Sequence, residues 1–180
     1  VATIDDVSGG RCGLNIVTGW NRPEYAQMGM WPGDSHYERR YDYATEYVEI
    51  LKTLWADGRF TFNSEFFQLD DCTVYPQPRS EIPIVCAGQS PRGREFVAAS
   101  ADHQFVLTGK SNLASGVADI KRRAAGKNRA VGIYALYHMI IADTDEAAKD
   151  ITEKIVREVD TGAVSNILSS AALDTNPTGT

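Results

Sequence analysis

The stretch at residues 9–41, GGRCGLNIVTGWNRPEYAQMGMWPGDSHYERRY, organises this chain of 180 residues. It contains an apolar run at residues 12–17, CGLNIV, which predicts a buried strand. A glycine–tryptophan turn and a loop rich in Pro, Gly and Asp connect this run to the start of a helix. In α/β proteins the chemistry commonly lies where a parallel strand gives way to a long loop. The stretch therefore predicts an α/β fold and the location of its site.

Asn15 lies in the middle of this predicted strand. An amide inside a buried strand destabilises the fold unless it is hydrogen-bonded. The sequence therefore predicts a partner for the Asn15 side chain, which could be backbone, water or a ligand.

The composition is that of a globular domain with a core, since 43% of the residues are hydrophobic. The net charge of −6 argues against nucleic acid or an anionic membrane as the main partner. No apolar run approaches the roughly 18 residues that a membrane span requires. Cys12, Cys72 and Cys86 form no CxxC pattern, which favours free thiols in a reducing cytoplasm.

Both ends of the sequence indicate incomplete structural units. Residues 1–8 are typical of the last turn of a helix that closes at Gly9. Residues 174–180, DTNPTGT, form a turn-rich tail with no closing element. We therefore expect the chain to be a fragment of a longer protein.

The most regular helical pattern covers residues 35–57. Ser35 and Glu38 fit a capping box at its start, and Gly58 is a natural stop. Apolar residues recur at spacings of three and four, which predicts a single core-facing stripe. The stripe consists of Tyr37, Tyr41, Ala44, Val48, Leu51 and Trp55.

Four apolar runs, each followed by a helical pattern, predict a parallel sheet. The runs are residues 12–17, 83–87, 103–107 and 131–142, and the helical patterns are residues 35–57, 94–101, 113–125 and 146–160. Residues 83–87 show no alternation, which is typical of a strand buried on both faces. Strand–helix alternation permits a doubly wound sheet or a (β/α)₈ barrel. A full barrel needs about 250 residues, so this chain could hold a partial (β/α)₈ barrel, roughly half of one.

Residues 59–73, RFTFNSEFFQLDDCT, interrupt the strand–helix alternation. They contain two short strand patterns around Asn63 and Ser64. This arrangement predicts a β-hairpin inserted between the larger units.

Ser90 and Pro91 directly follow a predicted strand. Ser is a favoured N-cap, and Pro is favoured at the first helical position. The free amides of this turn, with Arg92 and Arg94 nearby, would suit a phosphate, and Gly88 would allow a ligand to approach the backbone. The alternative is a capped helix with solvated arginines, and the Gly-Gln-Ser-Pro sequence matches no nucleotide-binding fingerprint.

Arg39 and Arg40 lie in the first turns of the predicted long helix, where two cations are unfavourable against the helix dipole. A bound anion or a carboxylate would relieve this, and Glu24 and Asp34 are the candidates within the protein. The alternative is one solvated arginine and one structural ion pair.

The histidines and loop aromatics leave the chemistry open. The three histidines have no metal-ligand spacing, so no metal site is predicted. We expect His36 to be an exposed residue and His138 to be a satisfied core residue. Trp20, Trp31 and Met28 could line an aromatic pocket or pack onto their own domain. The residues alone therefore indicate an α/β protein with a candidate anion site.

Four stretches resemble the bacterial luciferase-like flavin monooxygenases, and most closely their pyrimidine (uracil) monooxygenase branch. They are residues 9–34, residues 39–55 (RRYDYATEYVEILKTLW), residues 67–78 (FQLDDCTVYPQP) and residues 85–93 (VCAGQSPRG). The second half of the chain, including residues 135–148, matches more loosely.

The resemblance implies a (β/α)₈ barrel with an insertion region that opens the uracil ring oxidatively to a ureidoacrylate-type product. It implies O₂ as co-substrate and reduced FMN supplied by a separate NAD(P)H-dependent flavin reductase. The family's FMN-contacting positions match Asn15, Glu24, Arg40, Tyr41 and Ser90. Among these, Asn15 is assigned to the flavin and oxygen side, and the last three are assigned to the phosphate end.

We expect Thr18, Trp20 and Trp31 to form a substrate-side wall of the pocket. One alternative keeps the fold but changes the substrate to an organosulfur compound, an aminopolycarboxylate or a halogenated aromatic. An alternative from another class is a non-catalytic flavin- or phosphate-binding protein. The opening strand–helix units and the end of the barrel are expected to be absent, so the isolated chain should bind FMN poorly. The full-length protein is expected to form a homo-oligomer.

Overall fold

A computed structural model of the chain describes residues 1–19 and 21–171. The predicted pocket residue Trp20 and the predicted tail at residues 174–180 lie outside the described residues. The described elements are α1 (Ala2–Ser8), β1 (Leu14–Ile16), α2 (Arg22–Ala26), α3 (Asp34–Glu38), α4 (Arg40–Asp57), β2 (Arg59–Asn63), β3 (Gln68–Thr73), β4 (Ile84–Cys86), α5 (Pro91–Ser100), β5 (His103–Val106), α6 (Lys110–Ala125), β6 (Gly132–Ala135), α7 (Asp145–Glu158) and α8 (Thr161–Ala171).

The central sheet has four parallel strands in the order β1-β4-β5-β6. Each of the four predicted apolar runs contains one of these strands, so the predicted α/β class with a parallel sheet is confirmed. The register aligns Asn15 with Val85, Val85 with His103, and His103 with Gly132. Laterally paired residues of neighbouring strands project to the same face, so these four form one row across the sheet.

The hydrophobic core lies between one face of this sheet and the helices α4, α5 and α6. Strand residues Ile84 and Cys86 are 0% and 1% exposed, and they pack with apolar residues of the three helices. The helical members of this core include Val48, Phe96, Val97, Ala98, Ile120 and Ala124. Burial of this one face supplies most of the hydrophobic stabilisation of the sheet.

The opposite face of the sheet is open in the described structure. Asn15 is exposed and Val85 is only half-buried. Two predictions are therefore wrong: Asn15 is not buried, and residues 83–87 are not buried on both faces. The physical reason is that side chains alternate along a strand, and the described helices cover only the face that carries Ile16 and Cys86.

The predicted helix at residues 35–57 is two helices, α3 and α4, which are separated at Arg39. The residue that precedes α3 is Gly33, with a φ of 100°, and no side chain caps that helix, so the capping box of Ser35 and Glu38 is wrong. Glycine tolerates this positive φ, and α3 begins at Asp34, one residue before the predicted start at Ser35. The predicted stop is confirmed, since Gly58 ends α4 in the left-handed conformation with a φ of 73°.

Most of the predicted apolar stripe faces the core, but Leu51 is only half-buried and lies outside the core cluster. Tyr37, Tyr41, Ala44 and Val48 are buried, and Trp55 packs against the core while only half-buried. The buried side chains of the stripe therefore pack against the core in spite of the break between α3 and α4.

The predicted strand at residues 131–142 is shorter than expected, since β6 ends at Ala135. Its neighbour β5 ends at Val106, which pairs with Ala135. In the described structure, the last backbone hydrogen bond between the two segments runs from the Leu136 amide to the Val106 oxygen at 3.0 Å. Residues 136–141 are exposed, and His138 is among them. The prediction that His138 is a satisfied core residue is therefore wrong.

The two strands predicted within residues 59–73 are present as β2 and β3, which pair antiparallel. A register shift between Phe60 and Phe62 marks an irregularity in this ribbon. The ribbon packs against α4 through Phe67, whose ring centroid lies 4.6 Å from that of Tyr43. A bidentate ion pair between Arg59 and Asp71 joins the two strands.

The helices after β6 lie outside the core cluster. The hydroxyl of Thr144 caps α7 by accepting a hydrogen bond from the amide of Ala147 at 3.1 Å. In the part of the chain that the structure describes, no helix combines the length and the apolar character needed to cross a bilayer.

Candidate functional site

The carboxyl ends of β1 and β4 enclose a small cavity of about 140 Å³. Thr18 and Gly19 follow β1, and Gly88 follows β4. The other residues of the lining are Ile16, Val17, Tyr41, Cys86, Ala87 and Phe96. The cavity thus lies where a parallel sheet commonly holds its ligand.

Ser90 caps the helix that begins beside this cavity. It is 3% exposed, and its hydroxyl oxygen accepts a hydrogen bond from the amide of Gly93 at 3.0 Å. Pro91 occupies the first helical position, so the predicted cap is confirmed. The hydroxyl group of Ser90 keeps its own O–H, which can donate to a further acceptor.

Tyr41 joins the first turn of α4 to the first turn of α5. The residue is 6% exposed, and its ring centroid lies 5.6 Å from that of Phe96. A methyl group built on Gly93 would lie 2.7 Å from the Tyr41 hydroxyl oxygen. The Tyr41 hydroxyl therefore lies against the first turn of α5, the helix that Ser90 caps.

Arg40 is the unusual residue of the site because its charge is buried without a carboxylate. The residue is 5% exposed, and its Nη1 atom donates to the backbone oxygen of Tyr37 at 2.9 Å. The guanidinium carbon lies 4.1 Å from the Tyr37 ring centroid and 4.9 Å from that of Tyr41. The Nε and Nη2 atoms are buried and have no hydrogen-bond partner within the described structure.

The carboxylates that the sequence offered for Arg40 lie elsewhere. Glu24 accepts a hydrogen bond from the side-chain amide of Asn21 at 2.6 Å. Asp34 accepts from the Trp31 indole at 3.1 Å and forms a long ion pair with Arg22. The prediction of Glu24 or Asp34 as a partner is therefore wrong, as is the alternative of one solvated and one paired arginine.

The neighbouring arginines are already paired. Arg39 forms an ion pair with Glu65 at 2.6 Å, and its guanidinium, by this hydrogen bond, lowers the pKa of the Glu65 carboxyl group. Arg92 pairs with Asp42. Arg94 donates to Asp119 at 3.1 Å and to the backbone oxygen of Gln89. Among these cations, only Arg40 keeps buried donors without a partner.

A second, larger cavity of about 420 Å³ shares the end of β1 with the small one. Thr18, Trp31 and Arg40 all contribute to its lining. His36 also lines it, and its ring centroid lies 5.0 Å from that of Tyr43. His36 is therefore half-buried, and the prediction that it is exposed is wrong.

Sequence reasoning missed three tyrosines of this larger cavity: Tyr25, Tyr43 and Tyr47. The spacing of Tyr43 and Tyr47, one helical turn apart on α4, was the signal that could have found two of them. Tyr25 lies on the short helix α2, where no periodicity marks it.

The structure brings together some of the predicted site residues and not others. Four of them line the two cavities, namely Thr18, Trp31, Arg40 and Tyr41. Ser90 is hydrogen-bonded to Gly93, which in turn contacts Tyr41. Asn15 and Glu24 line neither cavity, since Asn15 is on the open face of the sheet and Glu24 is exposed on α2.

Cys86 lies under the small cavity but is not a nucleophile. Desolvation by burial raises the pKa of its thiol to about 12, so the thiol stays protonated at neutral pH. Within residues 1–19 and 21–171, no group of His, Cys, Asp and Glu side chains is arranged to hold a metal ion.

Residues 1–177 match the model of a protein family described as luciferase-like monooxygenase. The chain belongs to the luciferase-like monooxygenase family. Pyrimidine monooxygenase RutA of Serratia proteamaculans (strain 568) is 46% identical over 178 residues, which cover 97% of this chain and 49% of that protein. This identity confirms the resemblance to the pyrimidine branch. The chain spans about half the length of the curated relatives that it matches.

Two solved structures share this architecture over most of the chain. A long-chain alkane monooxygenase (LadA) superposes with a TM-score of 0.73 at 26% identity, covering 84% of this chain and 41% of that one. The EDTA monooxygenase (EmoA) from Chelativorans sp. BNC1 gives a TM-score of 0.77 at 19% identity, covering 91% of this chain and 43% of that one. At 19% identity the likeness concerns the fold alone.

Proposed function

We propose that this luciferase-like chain binds reduced FMN and forms part of a two-component monooxygenase that opens the uracil ring oxidatively to a ureidoacrylate-type product. The identity to the Serratia protein named pyrimidine monooxygenase supports the substrate class. The observation that carries the cofactor assignment is the buried guanidinium of Arg40, with two donors that have no partner among the described residues.

The chemistry of Arg40 fits a phosphate group. Nε–H and Nη2–H of a guanidinium point in the same direction and form a fork for two oxygen atoms of one anion. Arg59 uses the same two atoms to hold Asp71. A buried donor without a partner costs about 1–3 kcal/mol, so a phosphate on the Arg40 fork would relieve an existing penalty.

Ser90 and Tyr41 would complete the phosphate end. Ser90 holds its oxygen in place through the Gly93 amide and would donate its own O–H to the phosphate. The Tyr41 hydroxyl lies in the same turn and would donate a second hydrogen bond. The N-terminus of α5 adds the favourable end of a helix dipole.

Asn15 and Glu24 are assigned to the rest of the cofactor. Asn15 lies on the open face of the sheet and would offer its amide to the isoalloxazine edge on the oxygen side. Asn21 fixes the Glu24 carboxylate by a 2.6 Å hydrogen bond, which leaves Glu24 able to accept from a ribityl hydroxyl. Thr18, Trp20 and Trp31 are proposed as the substrate-side wall, two of which line the larger cavity.

Reduced FMN, when bound, supplies the electrons for the reaction with O₂. The residues of this chain bind the cofactor, orient the substrate and exclude water. NADH or NADPH would enter only through a separate flavin reductase that supplies the reduced cofactor. The cytoplasm, where such reductants are held, also fits the three free cysteines of the chain.

We infer that the sheet is part of a (β/α)₈ barrel, with the β2–β3 ribbon as an insertion. Four parallel strands with helices on one face are half of such a barrel, and the open face would then be its interior. The row of Asn15, Val85 and His103 would be covered by the remaining strands. The isolated chain, as a fragment of that domain, should therefore bind FMN poorly, and homo-oligomers are expected only for the full-length protein.

Turnover by the complete protein that carries this sequence tests the proposal. The protein is mixed with reduced FMN, O₂ and uracil, and products are identified by mass spectrometry against EDTA and an alkanesulfonate as competing substrates. We expect uracil, and neither of the other two substrates, to give a ring-opened product that carries one oxygen atom from labelled O₂. Turnover of another substrate with no reaction of uracil would reject the pyrimidine assignment, and FMN binding without any turnover would favour a non-catalytic binder.

A further inference from the structure

Gly93 is the point at which the first turn of α5 meets α4. The residue is buried, and a methyl group on its α-carbon would lie 2.7 Å from the Tyr41 hydroxyl oxygen and 2.8 Å from the α-carbon of Gly88. Both separations are shorter than the distance at which non-bonded heavy atoms pack in proteins. Any side chain at this position would displace the tyrosine, the β4–α5 turn or both.

Space, and not backbone conformation, requires glycine at this position. The backbone of Gly93 is helical and is not among the residues with a positive φ. Glycine inside a helix is less stable than alanine by about 1 kcal/mol. The chain therefore tolerates a helix-destabilising residue at the one place where a methyl group would meet Tyr41.

Gly93 also contacts Ser90, through a different atom. Its amide donates to the Ser90 hydroxyl oxygen at 3.0 Å, while its bare α-carbon admits the Tyr41 hydroxyl. One residue thus contacts both side chains, Ser90 at the start of α5 and Tyr41 in α4. Two O–H groups that contact the same residue at a helix N-terminus are suited to donate to one phosphate oxyanion.

We propose that Gly93 is a positioning residue for the Tyr41 hydroxyl, which it sets beside Ser90 so that both can donate to the phosphate of the cofactor. This inference rests on the proposed binding of FMN. It assigns Gly93 no contact with the cofactor, because its effect passes through Tyr41.

A double-mutant cycle in the complete protein that carries this sequence separates this role from a structural one. The dissociation constant of FMN and the melting temperature are measured for the wild type, Gly93→Ala, Tyr41→Phe and the double variant. The methyl group also meets Gly88, but that contact is present in both tyrosine and phenylalanine backgrounds and cancels in the cycle. Gly116→Ala is the matched control. Gly116 also lies inside a helix, α6, and a methyl group there would meet nothing within 4 Å.

The expected result is a coupled loss. Gly93→Ala should weaken FMN binding about tenfold in the wild-type background, as the loss of one hydrogen bond to a charged group predicts. In the Tyr41→Phe background, the same change should cost no more than about threefold, because the hydroxyl is already gone. Gly116→Ala should leave FMN binding unchanged.

Equal losses in the two backgrounds would overturn the role of Gly93 and leave the proposed function intact. A wild-type protein that binds no FMN would overturn the proposed function and this inference with it. If Gly93→Ala does not fold, recovery of a cooperative melting transition in the double variant supports the contact with Tyr41, and failure to recover contradicts it.

Discussion

Arg40 and Tyr37 are joined twice across the break between α3 and α4. The Nη1 atom of Arg40 donates to the Tyr37 backbone oxygen at 2.9 Å, and the guanidinium carbon lies 4.1 Å above the Tyr37 ring. These two contacts fix the plane of the guanidinium and leave its Nε and Nη2 donors buried without a partner. A site with this pre-set orientation loses little side-chain entropy when it binds an anion.

Replacement of this charge should stabilise the protein without cofactor and weaken its binding of the cofactor. In Arg40→Met, we expect the free energy of unfolding to rise by about 1 kcal/mol. Two unpaired buried donors, at about 2 kcal/mol each, outweigh a cation–π attraction of about 2 kcal/mol and the Nη1 hydrogen bond to Tyr37 of about 1 kcal/mol. Urea unfolding and FMN titration of the same samples check both halves. A clear fall in the stability of the cofactor-free variant would contradict the account of an unsatisfied charge.

The helix cap and the phosphate contact of Ser90 can be separated with two variants. Ser90→Ala should lose about 1 kcal/mol of stability with the cap, and it should also weaken FMN binding. Ser90→Asp keeps a capping oxygen for the Gly93 amide but brings a negative charge to the phosphate, so it should retain stability and lose affinity. If stability and FMN affinity decreased together in both variants, Ser90 would act only as the helix cap.

Thiol reactivity should distinguish Cys86 from the other two cysteines. Burial raises the pKa of the Cys86 thiol to about 12, whereas Cys12 and Cys72 are only half-buried. At pH 8, a chromogenic disulfide reagent should titrate two thiols in the native protein and the third only after unfolding. Rapid reaction of the third thiol in the native protein would show that the small cavity opens to solvent. The variant Cys86→Ala identifies the slow thiol.

A surface cluster between α5 and α6 should contribute a small, acid-sensitive part of the stability. The hydrogen bond from Lys127, followed by that from Arg123, lowers the pKa of the Glu95 carboxyl group below its usual 4.5. A carboxyl group with a depressed pKa in the folded state stabilises the protein above its unfolded pKa, and this contribution is lost as the pH falls through the folded value. Glu95→Gln should therefore reduce stability slightly at pH 7 and by less at about pH 3. Urea unfolding at the two pH values, with the exposed Glu158→Gln as control, measures the difference.

Local patterns were the part of the structure that the sequence predicted well. The Ser90–Pro91 cap and the Gly58 stop depend on adjacent residues only, and both are present. The parallel sheet followed from four apolar runs, since burial of a strand is visible in its composition.

Apart from the local capping box at Ser35 and Glu38, which Gly33 displaces, the failures concern features that depend on distant parts of the chain. Asn15 is exposed because burial of its face requires elements that the described chain does not place there. His138 is exposed because its strand loses its partner beyond Val106, which no local pattern reports. The contact between Gly93 and Tyr41 joins two helices that are far apart in sequence. Neither glycine spacing nor helix periodicity could have predicted it.

The affinity of the complete protein for FMN, compared with that for riboflavin, which lacks the phosphate, shows whether Arg40 binds the phosphate group. If the Arg40 fork holds the phosphate, the wild type should bind FMN at least about a hundredfold more tightly than riboflavin, in line with a charge-assisted bidentate pair. Arg40→Gln should remove most of that preference and leave riboflavin binding unchanged, while Arg157→Gln on the exposed α7 should change neither. An Arg40→Gln protein that keeps the full preference for FMN would contradict the account.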